Sequence, residues 1–507
     1  MAERPTAVLG RERLDGPHGG VAAAGARPLT ERSALELAAA IRAGEVSSRA
    51  VVDAHVERLE RVNPRINAVV TERYEEARAE ADAADARIAA AGADEDLPPL
   101  LGVPCTIKES LGLAGYPQCA GVVARRERPC ERSSTIVERI VEAGAIPLGL
   151  TNVSELTLWV ETENRVYGRT RNPYDPSRTA GGSSGGEGAA IGAGGSPFGL
   201  GTDFGGSIRL PAFFNGVFGH KPSVGVVPMT GHYPAAAGLS VAPFSFCGPL
   251  ARRAEDLIVV LRAIAGPDGE DELIEDVDLG DPGAVDLDGL RVVVSESGTL
   301  GPTGPELAQA RERAAGALAA AGARLERVDT KSMKRALEMY LATAATTETT
   351  LAELLADAGA DPIRWRDVFR RGGPHTVATR IAHVAERIAE RVPEGRTRKV
   401  LAARESFARE LSDTIGDGVL LHPPAPKVAP KHGGTVGRLW WIHPMLVFNL
   451  TGLPVTQVPL GLNDEGLPLG VQVVAGHGRD HMSIAVAQEL ERVFGGWVPP
   501  PTSPARA

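Results

Sequence analysis

The chain has 507 residues and a formal net charge of −10, with 43% hydrophobic and 23% charged residues. These proportions are typical of a globular protein with a sizeable core, and they exclude a disordered or fibrous chain. The acidic balance argues against a nucleic-acid partner, because binding to a phosphate backbone needs a basic face.

The sequence also bears on targeting and on the redox state of the cysteines. No uncharged apolar run reaches about 18 residues, so we expect no membrane span, and residues 1–20 lack the apolar stretch of a secretory signal. The four cysteines show neither CxxC spacing nor the density of a disulfide scaffold. We therefore expect free thiols and a cytoplasmic protein.

The first part of the chain changes character near Ser33. Residues 1–28 mix Gly, Pro, Ala and Arg without periodicity, which predicts a loose leader. Ser33 is placed to cap a first helix, and Ser47 or Ser48 to cap a second helix over Arg49–Val62. Two amphipathic helices are thus expected to open the fold.

Short apolar runs and helical patterns alternate through the rest of the chain. The runs that predict strands are Val103–Ile107, Ile146–Leu150, Leu290–Val294, Arg324–Val328, Gly418–Leu421, Val455–Leu460 and Leu469–Val474. The clearest helical patterns are Thr135–Ala143, Glu306–Ala321 and Met482–Phe494. The alternation predicts an α/β fold, a mixed β-sheet core sandwiched between helices, with the last two strands as an antiparallel pair.

One long stretch departs from this alternation. Residues 334–412 are almost wholly helical in pattern, and strands stop before them and resume after them. We interpret this stretch as a helical insertion into a single α/β domain spanning residues 29–500, followed by a short tail at 501–507.

The segment Gly181–Ser207 is the most informative, with twelve glycines before its closing serine. Glycine lets backbone N–H groups approach a phosphate or a developing oxyanion closely. A phosphate-binding P-loop is excluded because the chain contains no Gly-Lys dipeptide. Gly182, Ser184 and Gly186 fit the nucleophile elbow G-x-S-x-G, but Arg171–Thr179 before them has loop chemistry where that motif needs a strand.

Three segments in order carry a family resemblance. They are Gly102–Glu109 (GVPCTIKE), Gly181–Gly186 (GGSSGG) and Gly201–Arg209 (GTDFGGSIR). In sequence and spacing they resemble the amidase signature family of serine hydrolases, and the run Gly185–Gly188 is similar to its fatty acid amide hydrolase branch. The resemblance spans about Ser33 to Phe494, and it implies the amidase signature fold.

The resemblance also implies a Ser-Ser-Lys triad. Ser207 would be the nucleophile that forms an acyl-enzyme, Ser183 a bridging proton shuttle, and Lys108 the base. Because a lysine with the reference pKa of about 10.4 is a poor base near neutrality, Lys108 must be buried or lie beside cations. Its position at the end of an apolar run permits that.

Further roles follow from the same resemblance. The peptide between Gly182 and Ser183 is expected to be cis. The oxyanion hole would be formed by the backbone N–H groups of Phe204, Gly205, Gly206 and Ser207. The supporting residues would be Ser184, which hydrogen-bonds within the site, Asp203, which supports the lysine or the loop, and Arg209, which is structural. No cofactor and no metal are expected.

These features predict an amidase that hydrolyses small-molecule amides. The apolar content of Met229–Cys247, which includes Tyr233, Phe244 and Phe246, would suit a hydrophobic acyl or aryl group, although core packing explains it almost equally well. Esters and carbamates stay open as substrates, and a homodimer as the assembly. The alternative function is a glutaminase subunit of a tRNA-dependent amidotransferase, which the Glu187 run and the helical insertion disfavour; a non-catalytic binding protein is a third option.

Overall fold

The computed structural model describes residues 27–501 except 93–94, 236–243, 298, 345–348, 365, 367–371 and 390–393. Most of the predicted leader and tail therefore lies outside the described residues, as does the middle of the apolar segment 229–247. All four cysteines are free thiols, as predicted.

Within the described residues, eleven strands form one mixed sheet and two more form a small hairpin. The strands are β1 (Val69–Glu72), β2 (Pro104–Lys108), β3 (Ile146–Thr151), β4 (Glu163–Asn164), β5 (Gly168–Arg169), β6 (Phe198–Asp203), β7 (Phe218–Lys221), β8 (Phe246–Ala251), β9 (Arg291–Ser295), β10 (Arg324–Val328), β11 (Val419–His422), β12 (Val455–Leu462) and β13 (Pro468–Ala475). Their order in the large sheet is β1-β3-β2-β6-β8-β7-β12-β13-β11-β9-β10, and β4 and β5 form the hairpin.

Some of the helices pack against this sheet, and others pack against neighbouring helices. They are α1 (Ala34–Arg42), α2 (Ser48–Ile66), α3 (Tyr74–Ala90), α4 (Thr135–Glu142), α5 (Gly185–Gly192), α6 (Arg209–Phe214), α7 (Glu255–Ile264), α8 (Pro305–Ala320), α9 (Ala336–Ala344), α10 (Leu351–Asp357), α11 (Val377–Ala389), α12 (Glu394–Ile415), α13 (His443–Leu450) and α14 (Asp480–Phe494). None of those described combines the length and the apolar character that crossing a bilayer requires.

The local signals read from the sequence are confirmed where they were strongest. Ser33 caps α1 through a capping box with Glu36, and Ser47 caps α2. The seven predicted strands match β2, β3 and β9–β13 to within one or two residues, and β12 and β13 pair antiparallel. The strands β1 and β4–β8 were not predicted.

Burial of whole strands supports the predicted sandwich. Every residue of β2, β3, β6, β7, β8, β11 and β13 is buried, so both faces of the central sheet are covered. A strand covered on both faces is apolar or small-residue throughout and does not alternate with polar residues. The mixed α/β sandwich is therefore confirmed.

The centre of the sheet positions the site. β2 pairs in parallel with β3 on one side and with β6 on the other. Because parallel neighbours end at the same edge of a sheet, the last residue of β2, Lys108, and the last residue of β6, Asp203, share one edge. Loops that carry functional groups typically leave a parallel sheet at this edge.

The stretch between β10 and β11 holds α9 to α12, and its described residues contain no strand. α9 packs against α12 and against α13, which follows the insertion in the chain. The domain limits at residues 29–500 and the insertion limits at 334–412 stay predictions.

Candidate active site

The glycine-rich segment is built for close backbone packing. A Cβ placed at Gly186, in the first turn of α5, would lie 2.3 Å from the backbone nitrogen of Asn152. Gly206 has φ +116°, and a Cβ there would lie 2.6 Å from the Cβ of Met445. Glycine is required at both positions because no side chain fits, so the segment is a rigid part of the core and not a linker.

Burial across this segment is nearly complete. From residue 180 to residue 222, all residues are buried except Phe204 and Gly205, which are half-buried. The loop after β6 is thus where this segment comes closest to solvent. The predicted nucleophile Ser207 lies in the same loop and is 5% exposed.

Lys108 lies at the end of β2 with no exposed surface. Its Nζ lies 2.7 Å from Ser183 Oγ and 2.7 Å from Thr202 Oγ1. Burial lowers the pKa of Lys108 to about 7, although Cys247, Asp203 and Glu187 act in the opposite direction. A lysine with such a pKa is partly neutral at neutral pH and can accept a proton.

The two serine segments meet beside this lysine. The Gly182–Ser183 peptide is cis, as predicted. The backbone N–H of Ser184 donates to the carbonyl oxygen of Ser207 at 3.3 Å, which joins the segment before α5 to the loop after β6. Ser184 Oγ lies 3.3 Å from the backbone nitrogen and 3.3 Å from the carbonyl oxygen of Thr202. The Ser184 hydroxyl therefore bonds to the end of β6, next to the lysine.

Asp203 holds the loop that carries Ser207. Its carboxylate accepts hydrogen bonds from the backbone N–H groups of Gly206 at 2.6 Å and Ile208 at 3.2 Å. Arg209 forms a fully buried ion pair with it, with Nε 3.0 Å from Oδ2. Burial alone would raise the pKa of Asp203, but the Arg209 charge and the hydrogen bonds hold it well below its usual value. Asp203 therefore supports the loop by direct contact.

This contact changes the predicted oxyanion hole. The single N–H of Gly206 is already donated to Asp203, so Gly206 differs from the prediction that it faces a substrate. The amides of Phe204, Gly205 and Ser207 have no acceptor among the residues that the structure describes. Three of the four predicted donors are thus free.

Arg209 makes only internal polar contacts. Besides Asp203, it donates to Gln472, to the side chain of Asn449 and to the carbonyl oxygen of Met445, at 2.6–3.0 Å. Its side chain is not exposed. Arg209 ties the loop that carries Ser207 to α13 and β13, which fits a structural role.

Another buried carboxyl lies behind the lysine. Glu187 in α5 accepts hydrogen bonds from Thr106 Oγ1 at 2.6 Å and from Thr151 Oγ1 at 2.7 Å. Thr106 and Lys108 are two residues apart on β2 and therefore point to the same face. Burial raises the pKa of Glu187 to about 8.

Sequence reasoning missed four residues around the site. Thr202 and Glu187 lie inside the family-like motifs, so their position could have marked them as site residues. His232 packs its ring on Phe204 with 5.4 Å between ring centroids. Tyr340 of α9 has its hydroxyl 3.7 Å from where a Cβ of Gly205 would be. No sequence signal marks His232 or Tyr340, because both come from segments far from the motifs.

The apolar segment 229–247 is described only in part. Tyr233 packs under the guanidinium of Arg125, and Phe246 under the ammonium of Lys221, each at 3.6 Å. Phe244 belongs to a buried cluster with α9 and α13. These three side chains pack within the protein, while the part of the segment from 236 to 243 lies outside the described residues. In the described chain, no three His, Cys, Asp or Glu residues are grouped to hold a metal ion.

Comparison with known proteins places the chain in a family context. The amidase family model matches residues 50–484. Fatty-acid amide hydrolase 2-B of Danio rerio is 40% identical over 492 residues, which cover 93% of this chain and 91% of that protein. A glutamyl-tRNA(Gln) amidotransferase subunit of Halorhodospira halophila is 32% identical over 91% of this chain and 97% of its own length. The structure of 6-aminohexanoate cyclic dimer hydrolase matches with a TM-score of 0.78 at 26% identity, covering 92% of this chain and 97% of that chain.

Proposed function

The chain belongs to the amidase signature family and is an amide hydrolase, and we propose that it cleaves fatty-acid amides and related hydrophobic amides through an acyl-enzyme on Ser207. The observation that carries this mechanism is the 2.7 Å contact between Lys108 Nζ and Ser183 Oγ in a fully buried setting. A neutral amine at hydrogen-bond distance from a hydroxyl is the geometry of a general base and its proton donor.

In the first half-reaction, Lys108 accepts the proton of Ser183, and Ser183 accepts the proton of Ser207. Ser207 Oγ then attacks the amide carbonyl carbon, and the carbonyl oxygen becomes an oxyanion. The N–H groups of Phe204, Gly205 and Ser207, which have no acceptor among the described residues, would donate to this oxyanion. Such donors act strongly where water is excluded, and this segment is buried apart from Phe204 and Gly205.

In the collapse of this intermediate, the C–N bond breaks and the leaving nitrogen takes a proton from Ser183, which is resupplied by protonated Lys108. Water then attacks the acyl-Ser207 ester by the reverse path and releases the carboxylic acid. The sum is an amide and water giving an acid and an amine, with no cofactor. Since Lys108 must be neutral to start, kcat/KM should rise with pH through the lysine pKa of about 7 and then level off.

The relatives support a hydrophobic acyl group. A relative named fatty-acid amide hydrolase is 40% identical, whereas the amidotransferase relative is 32% identical, both over more than nine-tenths of this chain. A panel of long-chain amides, anilides, carbamates and glutamine, assayed on the purified chain, tests the substrate class. Preference for the long-chain amides is expected; hydrolysis of glutamine alone, stimulated by a partner protein, would establish the amidotransferase alternative.

The role of Lys108 is tested by comparing an amide with an ester of the same acyl group. An amide nitrogen cannot leave unprotonated, whereas an alkoxide needs less acid assistance. Lys108→Ala, with Lys108→Met to conserve volume, should lower kcat/KM on the amide by about 10²–10⁴-fold and on the ester by less. Lys331→Ala, at an exposed lysine, is the control. Unchanged rates in both Lys108 variants would remove Lys108 from the mechanism.

The cytoplasmic location and the homodimer stay predictions from the sequence.

A further inference from the structure

We propose that His232 is a positioning residue for Lys108: by accepting the hydrogen of the Thr202 hydroxyl, it leaves the lone pair of the lysine free to face Ser183. The inference rests on the proposed role of Lys108 as the base. It assigns a task to a histidine that lies outside all three family-like motifs.

The first step is the state of the His232 ring. Its Nδ1 lies 2.7 Å from the carbonyl oxygen of Pro234, which can only accept, so Nδ1 carries a hydrogen. The ring is 4% exposed, and burial together with the charge of Lys108 lowers its pKa to about 3. The ring is therefore neutral, and Nε2 has a lone pair and no hydrogen.

The second step is the direction of the hydrogen bond to Thr202. His232 Nε2 lies 3.4 Å from Thr202 Oγ1. Because this nitrogen can only accept, the Thr202 hydroxyl must donate to it. Among the described residues, only His232 and Lys108 have side chains in hydrogen-bond contact with the Thr202 hydroxyl.

The third step concerns the lysine itself. Thr202 Oγ1 is 2.7 Å from Lys108 Nζ, and with its own hydrogen donated to His232 it can only accept from the amine. A neutral amine has two hydrogens and one lone pair. One N–H is thus held by Thr202, and the lone pair is available to Ser183 Oγ, also at 2.7 Å. Without His232, the Thr202 hydroxyl could turn and donate to that lone pair, which would occupy the base.

Other groups face Lys108 but do not set this direction. Cys247 on β8, Asp203 at the end of β6 and Glu187 on α5 influence its charge. None of these three hydrogen-bonds to the Thr202 hydroxyl within the described residues. His232 is the group that fixes the orientation.

The test uses His232→Phe, which keeps the ring that packs on Phe204 and removes the acceptor. We expect kcat to fall by about tenfold or more with KM within twofold, since a positioned base contributes about 10²–10⁴-fold. We also expect the acidic limb of the kcat/KM profile to move to lower pH, because a hydroxyl donating to the amine favours its neutral form. His232→Gln, which restores an acceptor, should recover part of the rate, and His477→Phe, at an exposed histidine, should match the wild type.

A double-mutant cycle shows whether His232 acts through Thr202. In a Thr202→Val background, which has no hydroxyl to orient, adding His232→Phe should change kcat by less than twofold. If the losses of kcat caused by the two substitutions multiply in the double variant, the proposal is overturned. A His232→Phe variant with wild-type kcat and pH profile would overturn it as well. If Lys108→Met keeps full activity, the proposed base itself fails, which is a separate result.

The intact protein offers a further check if the variants fold poorly. Selective ¹⁵N labelling of histidine reports the tautomer of each ring, with His232 assigned by its loss in His232→Gln. A neutral ring protonated on Nδ1 is expected near pH 7. A ring protonated on Nε2, or a charged ring, would contradict the direction proposed for Thr202.

Discussion

The nucleophile segment, residues 180–222, and the helical insertion, α9 to α12, are held in the protein in different ways. The nucleophile segment is buried at every position but two and is fixed by close backbone contacts and by the Asp203–Arg209 pair. The insertion has many exposed positions and is attached through separate contacts, such as the apolar cluster of α10 with Ala120, Leu156 and Tyr233.

This difference in packing indicates that the two regions have different roles. Chemistry needs atoms fixed to within about 0.5 Å, and dense packing with satisfied hydrogen bonds provides that. Tyr340 of α9 brings the insertion to the half-buried Gly205, where the nucleophile segment meets solvent. The insertion thus contacts the half-buried part of the loop that carries Ser207.

The largest effect should come from the proposed nucleophile, Ser207. Ser207→Ala should abolish covalent labelling by a fluorophosphonate probe and lower amide hydrolysis by about 10⁴-fold or more, because no other hydroxyl takes its place. Its melting temperature should stay close to that of the wild type. Ser406→Ala, at an exposed serine of α12, should keep both labelling and rate.

Peptide mass mapping of the labelled protein decides between serines. Label on Ser184 would revive the nucleophile-elbow interpretation, and label that survives Ser207→Ala would reject the assignment.

The next effect concerns stability. Arg209→Met removes one partner of a fully buried ion pair and leaves the Asp203 carboxylate without its cation, which should lower the free energy of unfolding by about 3–5 kcal/mol. Arg409→Met, at an exposed arginine of α12 paired with Glu405 at 3.9 Å, should change it by less than about 0.5 kcal/mol. Urea unfolding of the three proteins measures both. Similar losses in the two variants would contradict the contrast between the regions.

The smallest effect is a pH dependence in the insertion. His375 has Nδ1 2.8 Å from Glu155 Oε1 and Nε2 3.0 Å from the carbonyl oxygen of Asp361. Both partners accept, so the geometry fits a charged ring with two hydrogens. Burial by itself would lower the pKa of His375, but these bonds raise it above its usual value.

The sign follows from this raised pKa. The contribution of protonated His375 to stability is fully present below its unfolded-state pKa of about 6.5. It is lost as the pH rises through its pKa in the folded protein. Hydrogen exchange of α11, corrected for its intrinsic pH dependence, should therefore lose about fivefold protection over that window, equivalent to about 1 kcal/mol. His375→Leu should flatten the dependence, while exchange in β6 stays unchanged. A pH response of equal size in His375→Leu would show that another group is responsible.

Much of the fold could be predicted from local sequence patterns. The caps of α1 and α2, the strands β2 and β3, and the β12–β13 pair were predictable because each depends on residues close together in sequence. β6 and β8 were missed although β6 lies beside β2 at the centre of the sheet and β8 lies beside β6. Four of the six residues of β6 are glycine, threonine or aspartate, so the strand gives no apolar run in the sequence. It is nevertheless buried on both faces, because close backbone contacts cover it.

For the site, the sequence by itself determined which residues are candidates: three motifs that resemble those of the amidase signature family implied Lys108, Ser183 and Ser207, and Lys108 ends a strand as its pattern indicated. Only the tertiary structure decided their surroundings. It showed that Gly206 donates to Asp203, that Thr202 links Lys108 to His232, and that Tyr340 reaches Gly205. The physical reason is that hydrogen-bond direction and side-chain burial depend on contacts between distant segments, which packing of the whole sheet sets and no local pattern encodes.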